Sequence, residues 1–167
     1  MADRMAATIC IGGALPAALV PDLCRELREA SVGVQGAATC FRPENADDLM
    51  QACHDGWLCL QDDEVPWGEF GFEGFLQQQG ISYDRFTEPK YDRPAVIVSF
   101  RPGGGVVCRD TTILHEPFVL TSQLVAVEDA LVSAVENPTR DAVQQALTLL
   151  RAAVPPKVVP LPPLTIQ

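Results

Sequence analysis

The first half of the chain alternates short apolar runs with amphipathic stretches. Residues 6–11 form an apolar run closed by two glycines, which predicts a buried strand. Apolar residues then recur at three- and four-residue steps over 19–30, so we expect a helix that buries one face. Residues 34–41 predict a strand ended by an Arg-Pro pair, and residues 44–53 predict a short helix.

The middle of the chain predicts a strand followed by a second helix. Residues 57–60 are apolar and bounded by polar residues, which favours a short strand. The three acids at 62–64 lead to Pro66, and acids before a proline are typical of a helix start, where they interact with the positive end of the helix dipole. We therefore expect a helix over 66–79 with a buried aromatic stripe.

Three further strands are expected between this helix and the C-terminal part. Residues 81–87 alternate in character with a period of two, as a half-buried strand does. Residues 95–100 and 106–108 flank an Arg-Pro-Gly-Gly-Gly segment, so they predict a hairpin. The glycines at 103–105 lie between two strands instead of between a strand and a helix, which favours a turn over a phosphate-binding loop.

Two apolar seams, over 120–134 and 143–154, predict a C-terminal helical hairpin. Asn137 is suited to cap the second helix and Pro138 to occupy its first turn. Such a hairpin either covers the sheet or pairs with a second copy of the chain. We expect it to cover the sheet, which is the commoner outcome in layered domains. Pairing would instead make a homodimer through the C-terminal helices.

These elements predict a single α+β domain over residues 1–154. Its core is a small mixed sheet of five or six strands covered by helices, with the helical hairpin at the end. Residues 155–167 contain five prolines, so we expect an extended Pro-rich tail. The spacing at 160–163 is one that polyproline-binding grooves accept, and a loose or surface-packed end is the alternative.

Composition places the chain among soluble globular proteins. Of its 167 residues, 47% are hydrophobic and 20% are charged, and its mean hydropathy is +0.10. No apolar run reaches the roughly 18 to 20 residues of a membrane span, and no secretory signal is convincing. We expect the six cysteines to be reduced thiols and the location to be cytoplasmic.

The net charge of -10 is concentrated in one segment. Residues 44–92 contain twelve acids and two bases, whereas the remainder is balanced with ten of each. A negative field of this size repels phosphate backbones and anionic lipid, so we expect no direct binding to nucleic acid or membrane. It attracts basic protein surfaces.

The residues that could carry chemistry do not form a recognisable motif. Cys53, His54 and Cys59 are too poorly spaced for a zinc site, even with Cys108 or His115 as a fourth ligand. His54 and His115 are the available bases for a nucleophile, and no Gly-x-Ser-x-Gly segment is present. We therefore expect no metal, no cofactor and no enzyme, with a Cys/His-dependent enzyme using Cys53, His54 or His115 as an alternative.

Ten of the eleven aromatic residues lie between 41 and 100 and overlap the acidic segment. An exposed aromatic side chain surrounded by charge is typical of a protein-binding surface. The sequence therefore predicts a protein-interaction module that binds a basic partner, and the alternative is an acidic nucleic-acid mimic that blocks a DNA- or RNA-handling enzyme. The expected contact residues are Asp62, Asp63, Glu64, Glu69, Phe72, Glu73, Asp84, Glu88 and Tyr91.

Overall fold

Six antiparallel strands form the central sheet of an α+β fold. The computed structural model describes residues 3–37, 39–91 and 93–167. The strands are β1 (Arg4–Gly12), β2 (Ala14–Leu15), β3 (Gly33–Val34), β4 (Leu58–Pro66), β5 (Ser82–Thr87), β6 (Ala95–Arg101), β7 (Gly105–Thr111) and β8 (Thr165–Ile166). The helices are α1 (Val20–Ala30), α2 (Ala46–Gln51), α3 (Glu73–Gln78), α4 (Thr121–Glu136) and α5 (Arg140–Ala153).

The sheet has the order β3-β4-β1-β5-β6-β7 and every neighbouring pair in it is antiparallel. We predicted a mixed sheet, and this detail is wrong. The parallel pairing in the described residues joins β2 to β8 in a separate two-stranded sheet. The connections from β5 to β6 and from β6 to β7 are too short for a parallel neighbour, which would need a crossover of a dozen or more residues.

The hydrophobic core lies between the central strands and α1. Ile9 and Ile11 of β1 are fully buried, because alternate residues of a strand point to the same face. α1 places Leu23 and Leu27 in the same core, as its three- and four-residue apolar steps predict. Pro21 lies in the first turn of α1, where its missing N–H removes no helical hydrogen bond.

Most of the predicted elements are confirmed. β1, α1, α2 and β5 form where the apolar pattern places them, and β6 and β7 form the predicted hairpin around residues 101–105. The strand predicted over 34–41 is wrong, because β3 ends at Val34 and the amide of Ala37 donates to the carbonyl of Val34 to close a turn. Residue 38 of that stretch lies outside the described residues.

The acids at 62–64 belong to a strand and do not begin a helix. β4 continues from Leu58 to Pro66, and α3 does not begin until Glu73. The predicted helix over 66–79 is wrong at its start because Trp67 and Gly68 have φ angles of 57° and 71°, in the left-handed region. Two consecutive residues in that region cannot continue a right-handed helix.

The C-terminal helices pack on each other instead of on the sheet. In the described part of the chain, neither α4 nor α5 makes an extended contact with a strand, so the expected covering of the sheet is wrong. Asn137 ends α4, and Thr139 caps α5 by accepting a hydrogen bond from the amide of Ala142 at 3.2 Å. Among the described residues, no helix combines the length and apolar character needed to cross a lipid bilayer.

The last residues of the chain return to the core. Leu164 is 3% exposed and belongs to the hydrophobic core cluster, while β8 pairs with β2. The indole N–H of Trp57 donates to the carbonyl of Leu161 at 3.1 Å. A side chain at Gly12 would collide with the carbonyl oxygen of Pro162, so this contact requires glycine. Residues 161–167 are therefore packed as part of the domain.

A disulfide joins Cys10 of β1 to Cys59 of β4. The two residues are directly opposite each other in the antiparallel register, which brings their side chains together on one face of the sheet. We predicted reduced thiols throughout, and this pair is a correction. The free cysteines are Cys24, Cys40, Cys53 and Cys108.

We expect Leu164→Ala to lower the free energy of unfolding by about 2 to 5 kcal/mol, because the truncation leaves a cavity in the core. Urea denaturation followed by tryptophan fluorescence measures the change. Val159→Ala is the matched control in the same segment, since Val159 is 69% exposed. It should change the stability by less than about 0.5 kcal/mol. Equal effects of the two variants would mean that the segment does not pack in the core.

Candidate functional site

A groove of about 340 Å³ brings together four carboxylates from three segments of the chain. Glu26 and Glu29 come from α1, Asp62 comes from β4, and Glu69 comes from the connection between β4 and α3. Among the described residues, no lysine, arginine or histidine lines this groove. We call it the carboxylate groove.

The elements around the carboxylate groove explain its shape. Glu26 and Glu29 are three residues apart, so they lie on the same side of α1. Glu29 lies opposite the residues buried in the core, whereas Glu26 lies at the edge of the buried face with its side chain 28% exposed. The apolar side chains that line the groove include Ala30, Val65 and Phe70. The groove therefore combines negative charge with hydrophobic walls.

A second groove of about 610 Å³ adjoins the first and shares Glu69 and Phe70 with it. It lies over the sheet between α3 and strands β5, β6 and β7. We call it the sheet-face groove. Val96 and Val98 form part of its floor, whereas Trp67 and Arg93 stand at one end with the guanidinium 5.4 Å from the centre of the indole ring.

A buried ion pair forms the wall of the sheet-face groove. The Nε atom of Arg85 lies 3.0 Å from Oε1 of Glu73, and both side chains are about nine-tenths buried. The N–H of that Nε makes no hydrogen bond, so the contact is electrostatic. Arg85 also donates to the carbonyl of Gly68 and, at 2.8 Å, to the hydroxyl of Thr87. These contacts hold the segment before α3 against β5.

The carboxylate of Glu73 is further held by two hydrogen bonds. It accepts one from the amide of Phe70 at 2.8 Å and one from the hydroxyl of Tyr83 at 3.0 Å. Burial raises the pKa of Glu73, and the charge of Arg85 with these hydrogen bonds opposes the rise. Burial also raises the pKa of Tyr83 to about 12, so its phenol stays a hydrogen-bond donor. This network holds the loop before α3 against β5.

Two of the predicted contact residues are not accessible to a partner. Phe72 is 2% exposed and Glu73 is 8% exposed. We expected at least one aromatic side chain of this region to lie on the surface, and Tyr91 does, at 87% exposed. Phe72 instead packs into the core with Phe70, at 5.4 Å between ring centres. Both residues support the grooves from inside the domain.

Asp84 and Glu88 lie in a different place from the carboxylate groove. Both line a pocket on the opposite face of the sheet, next to Arg109 and His115. Alternate residues of β5 point to opposite faces, which separates Asp84 from its neighbour Arg85. Asp84 is also neutralised by the guanidinium of Arg101 at 2.9 Å. The predicted acids therefore do not form one surface.

The remaining predicted residues are exposed. Asp63 and Glu64 follow Asp62 in β4, opposite an irregularity in the pairing with β1, and Arg4 approaches Glu64 at 3.7 Å. Tyr91 is 87% exposed in the connection between β5 and β6. The acid at position 92 lies outside the described residues.

The residues of the Cys/His alternative do not assemble with one another. Cys53 donates to the carbonyl of Leu49 at 3.3 Å, and burial raises the pKa of its thiol, which disfavours the reactive thiolate. His54 is exposed, with Nδ1 3.0 Å from the carboxylate of Asp55. His115 packs against Phe86 on the far face of the sheet, at 4.1 Å between ring centres. Among the described residues, no three His, Cys, Asp or Glu side chains are grouped so that they could hold a metal ion, and this includes the four carboxylates of the groove.

Glu26 and Glu29 were missed by the sequence analysis. Their spacing on the polar face of α1 was visible, but it is also the pattern of any solvated helix face. What makes them part of a site is the position of α1 beside the end of β4. Only tertiary contacts establish that position.

Comparison of the chain with protein-family models, with curated proteins and with solved structures gives no match. The function therefore has to be inferred from the geometry of the site.

We expect Glu73→Gln to lower the free energy of unfolding by about 3 to 5 kcal/mol, because it leaves the buried charge of Arg85 without a counter-charge. Denaturation in urea measures the change. Glu69→Gln is the control, since Glu69 is exposed and approaches Arg85 only to 4.0 Å. It should change the stability by less than about 0.5 kcal/mol. If Glu73→Gln were as stable as the parent protein, the ion pair would not hold the loop.

Proposed function

We propose that this chain is a non-enzymatic protein-interaction module whose carboxylate groove binds an arginine side chain of a basic partner. The observation that carries the proposal is the convergence of four carboxylates on one groove that no described basic side chain lines. Among the described residues, Glu29 and Asp62 form no ion pair, and Glu26 and Glu69 make only long contacts, with Arg25 at 3.7 Å and with Arg85 at 4.0 Å. The groove therefore keeps negative charge available to a ligand. The four carboxylates differ from the predicted contact residues, since they add Glu26 and Glu29 and retain only Asp62 and Glu69.

The chemistry of the groove suits arginine in particular. The guanidinium group presents parallel N–H donors that match a carboxylate in a bidentate arrangement. Its aliphatic stem can lie along apolar walls such as Val65 and Phe70 while the charged end stays with the carboxylates. Asp63 and Glu64 extend the negative field beyond the groove, which increases the rate of encounter with a basic surface.

The distribution of the acids favours this function over a nucleic-acid mimic. A mimic needs carboxylates spaced like phosphates along one exposed face. Glu73 is instead buried against Arg85, and Asp84 is paired with Arg101 on the other face of the sheet. Acids clustered around apolar side chains are the arrangement expected of a protein-binding surface.

We also propose a cytoplasmic location, and the redox state of the cysteines depends on it. Disulfides persist mainly in oxidising compartments, so in a reducing cytoplasm Cys10 and Cys59 would be thiols facing each other across β1 and β4. Neither cysteine lines the carboxylate groove. The proposed binding therefore does not depend on whether Cys10 and Cys59 form a disulfide or are reduced thiols.

We expect the chain to bind a labelled oligo-arginine peptide, with an affinity that falls as salt rises. Removing the four groove charges with Glu26→Gln, Glu29→Gln, Asp62→Asn and Glu69→Gln should weaken this binding by about tenfold or more, since each ion pair contributes up to about 1 kcal/mol. Fluorescence anisotropy at low and high salt measures both effects.

The matched control removes the same number of charges from exposed acids outside the groove. It combines Glu44→Gln, Asp47→Asn, Asp55→Asn and Glu116→Gln, so its net charge equals that of the groove variant. The control should retain most of the affinity. Equal losses in the two variants would show that net charge alone attracts the peptide, and the groove would then not be the binding site.

A further inference from the structure

The α4–α5 hairpin carries large apolar side chains that are exposed in the described chain. On α4 the buried residues are Val127 and Ala134. The large apolar side chains exposed on α4 are Leu124, Leu131 and Val135, three residues before a buried residue or one after it, and Val125 and Val132, two residues before one. Single exposed apolar residues are normal on a soluble protein, whereas a contiguous set usually marks an interface.

α5 repeats the same offsets. Its buried residues are Ala146 and Ala153, again seven residues apart. Its exposed apolar residues again lie three residues before a buried residue or one residue after it. They are Val143, Leu147, Leu150 and Val154. The exposed fractions on the two helices run from 39% to 80%. Small alanines between the helices let them approach closely, and the larger side chains are left outside.

The matching offsets place both apolar stripes on one side of the hairpin. An α-helix has 3.6 residues per turn, so each residue is rotated about 100° from the one before it. A residue three positions before a buried one, or one position after it, therefore points about 60° or 100° away from it, in the same direction around the helix axis. The short connection from Asn137 to Thr139 makes the two helices antiparallel neighbours. When two antiparallel helices face each other through their buried residues, side chains rotated by the same angle from those residues lie on the same side of the helix pair. The hairpin therefore has one largely apolar face, which also carries Glu128, one residue after Val127. Val125 and Val132 lie about 100° further round α4.

The charges on the helices indicate what covers this face. α4 has three acidic residues and no basic one, whereas α5 has two arginines and one aspartate. Glu128, Arg140 and Arg151 form no ion pair with the described residues of the chain. Two α4 helices in contact would bring like charges together, but α4 on α5 brings opposite charges together.

We propose that this face binds a second copy of the chain, so that each α4 lies on the α5 of the partner and the two hairpins form a four-helix bundle. Such bundles bury residues at three- and four-residue spacing on facing helices. The apolar stripe of α5 has this spacing, and the stripe of α4 has it with Glu128 at one of the positions. The proposal does not depend on the carboxylate groove, because none of the hairpin residues lines that groove.

Light scattering coupled to gel filtration tests the proposal on the full chain. A mass of twice 18.1 kDa is expected at concentrations up to about 100 µM, well above the Kd of a micromolar dimer. Leu150→Glu should shift the protein to the monomer, because each copy would then bury an unpaired charge. Gln145→Glu, on the other side of α5, adds the same charge and should leave the dimer intact.

Circular dichroism establishes that the Leu150→Glu monomer keeps its helices, which is expected because Leu150 is 40% exposed before association. A monomeric parent protein at these concentrations would overturn the proposal, whether the face stays open or awaits a different partner. So would a Leu150→Glu variant that remains dimeric.

A charge exchange tests the arrangement of the helices. Glu128→Arg alone should weaken the dimer, and adding Arg140→Glu with Arg151→Glu should restore it, because opposite charges face each other again. Failure to restore the dimer would overturn the placement of α4 on α5. High salt should leave the apolar dimer in place while it releases an arginine peptide from the carboxylate groove, so the two proposals fail independently.

Discussion

Both grooves depend on the buried ion pair between Glu73 and Arg85. This pair, with its hydrogen bonds to Gly68, Phe70 and Tyr83, holds the connection between β4 and α3 against the sheet. Glu69 lies in that connection and forms the boundary between the two grooves. Separating these two charges while they remain buried would cost free energy. The loop can therefore leave the sheet only if both side chains become exposed to water. The position of Glu69 follows from this constraint, whereas Glu26 and Glu29 are positioned by α1 and Asp62 by β4.

The two proposed binding surfaces would rely on different physical forces. The carboxylate groove uses long-range charge, which salt screens, whereas the face of the hairpin uses apolar burial, which salt does not weaken. A dimer formed through the hairpins would present two carboxylate grooves. Linked grooves would raise the apparent affinity for a partner with two basic sites without any new contact.

Local sequence patterns predicted the secondary-structure elements correctly where each pattern allowed only one physically possible interpretation. The apolar run of β1, the amphipathic pattern of α1 and the glycine turn between β6 and β7 each led to the observed element. The acids at 62–64 allowed two interpretations, because carboxylates suit both a helix start and the exposed end of a strand. The left-handed backbone at Trp67 and Gly68 decided between them, and no periodicity reveals such a conformation.

The amino-acid sequence by itself determined the α+β class, the helical hairpin and the concentration of acids in one segment, because composition and spacing are local properties. Asp62 and Glu69 of the carboxylate groove could be selected in that way. The tertiary structure alone decided that Glu26 and Glu29 join them, that Phe72 and Glu73 are buried, and that Asp84 lies on the opposite face. Exposure and proximity depend on contacts between residues far apart in the chain, and a one-dimensional pattern does not contain those contacts.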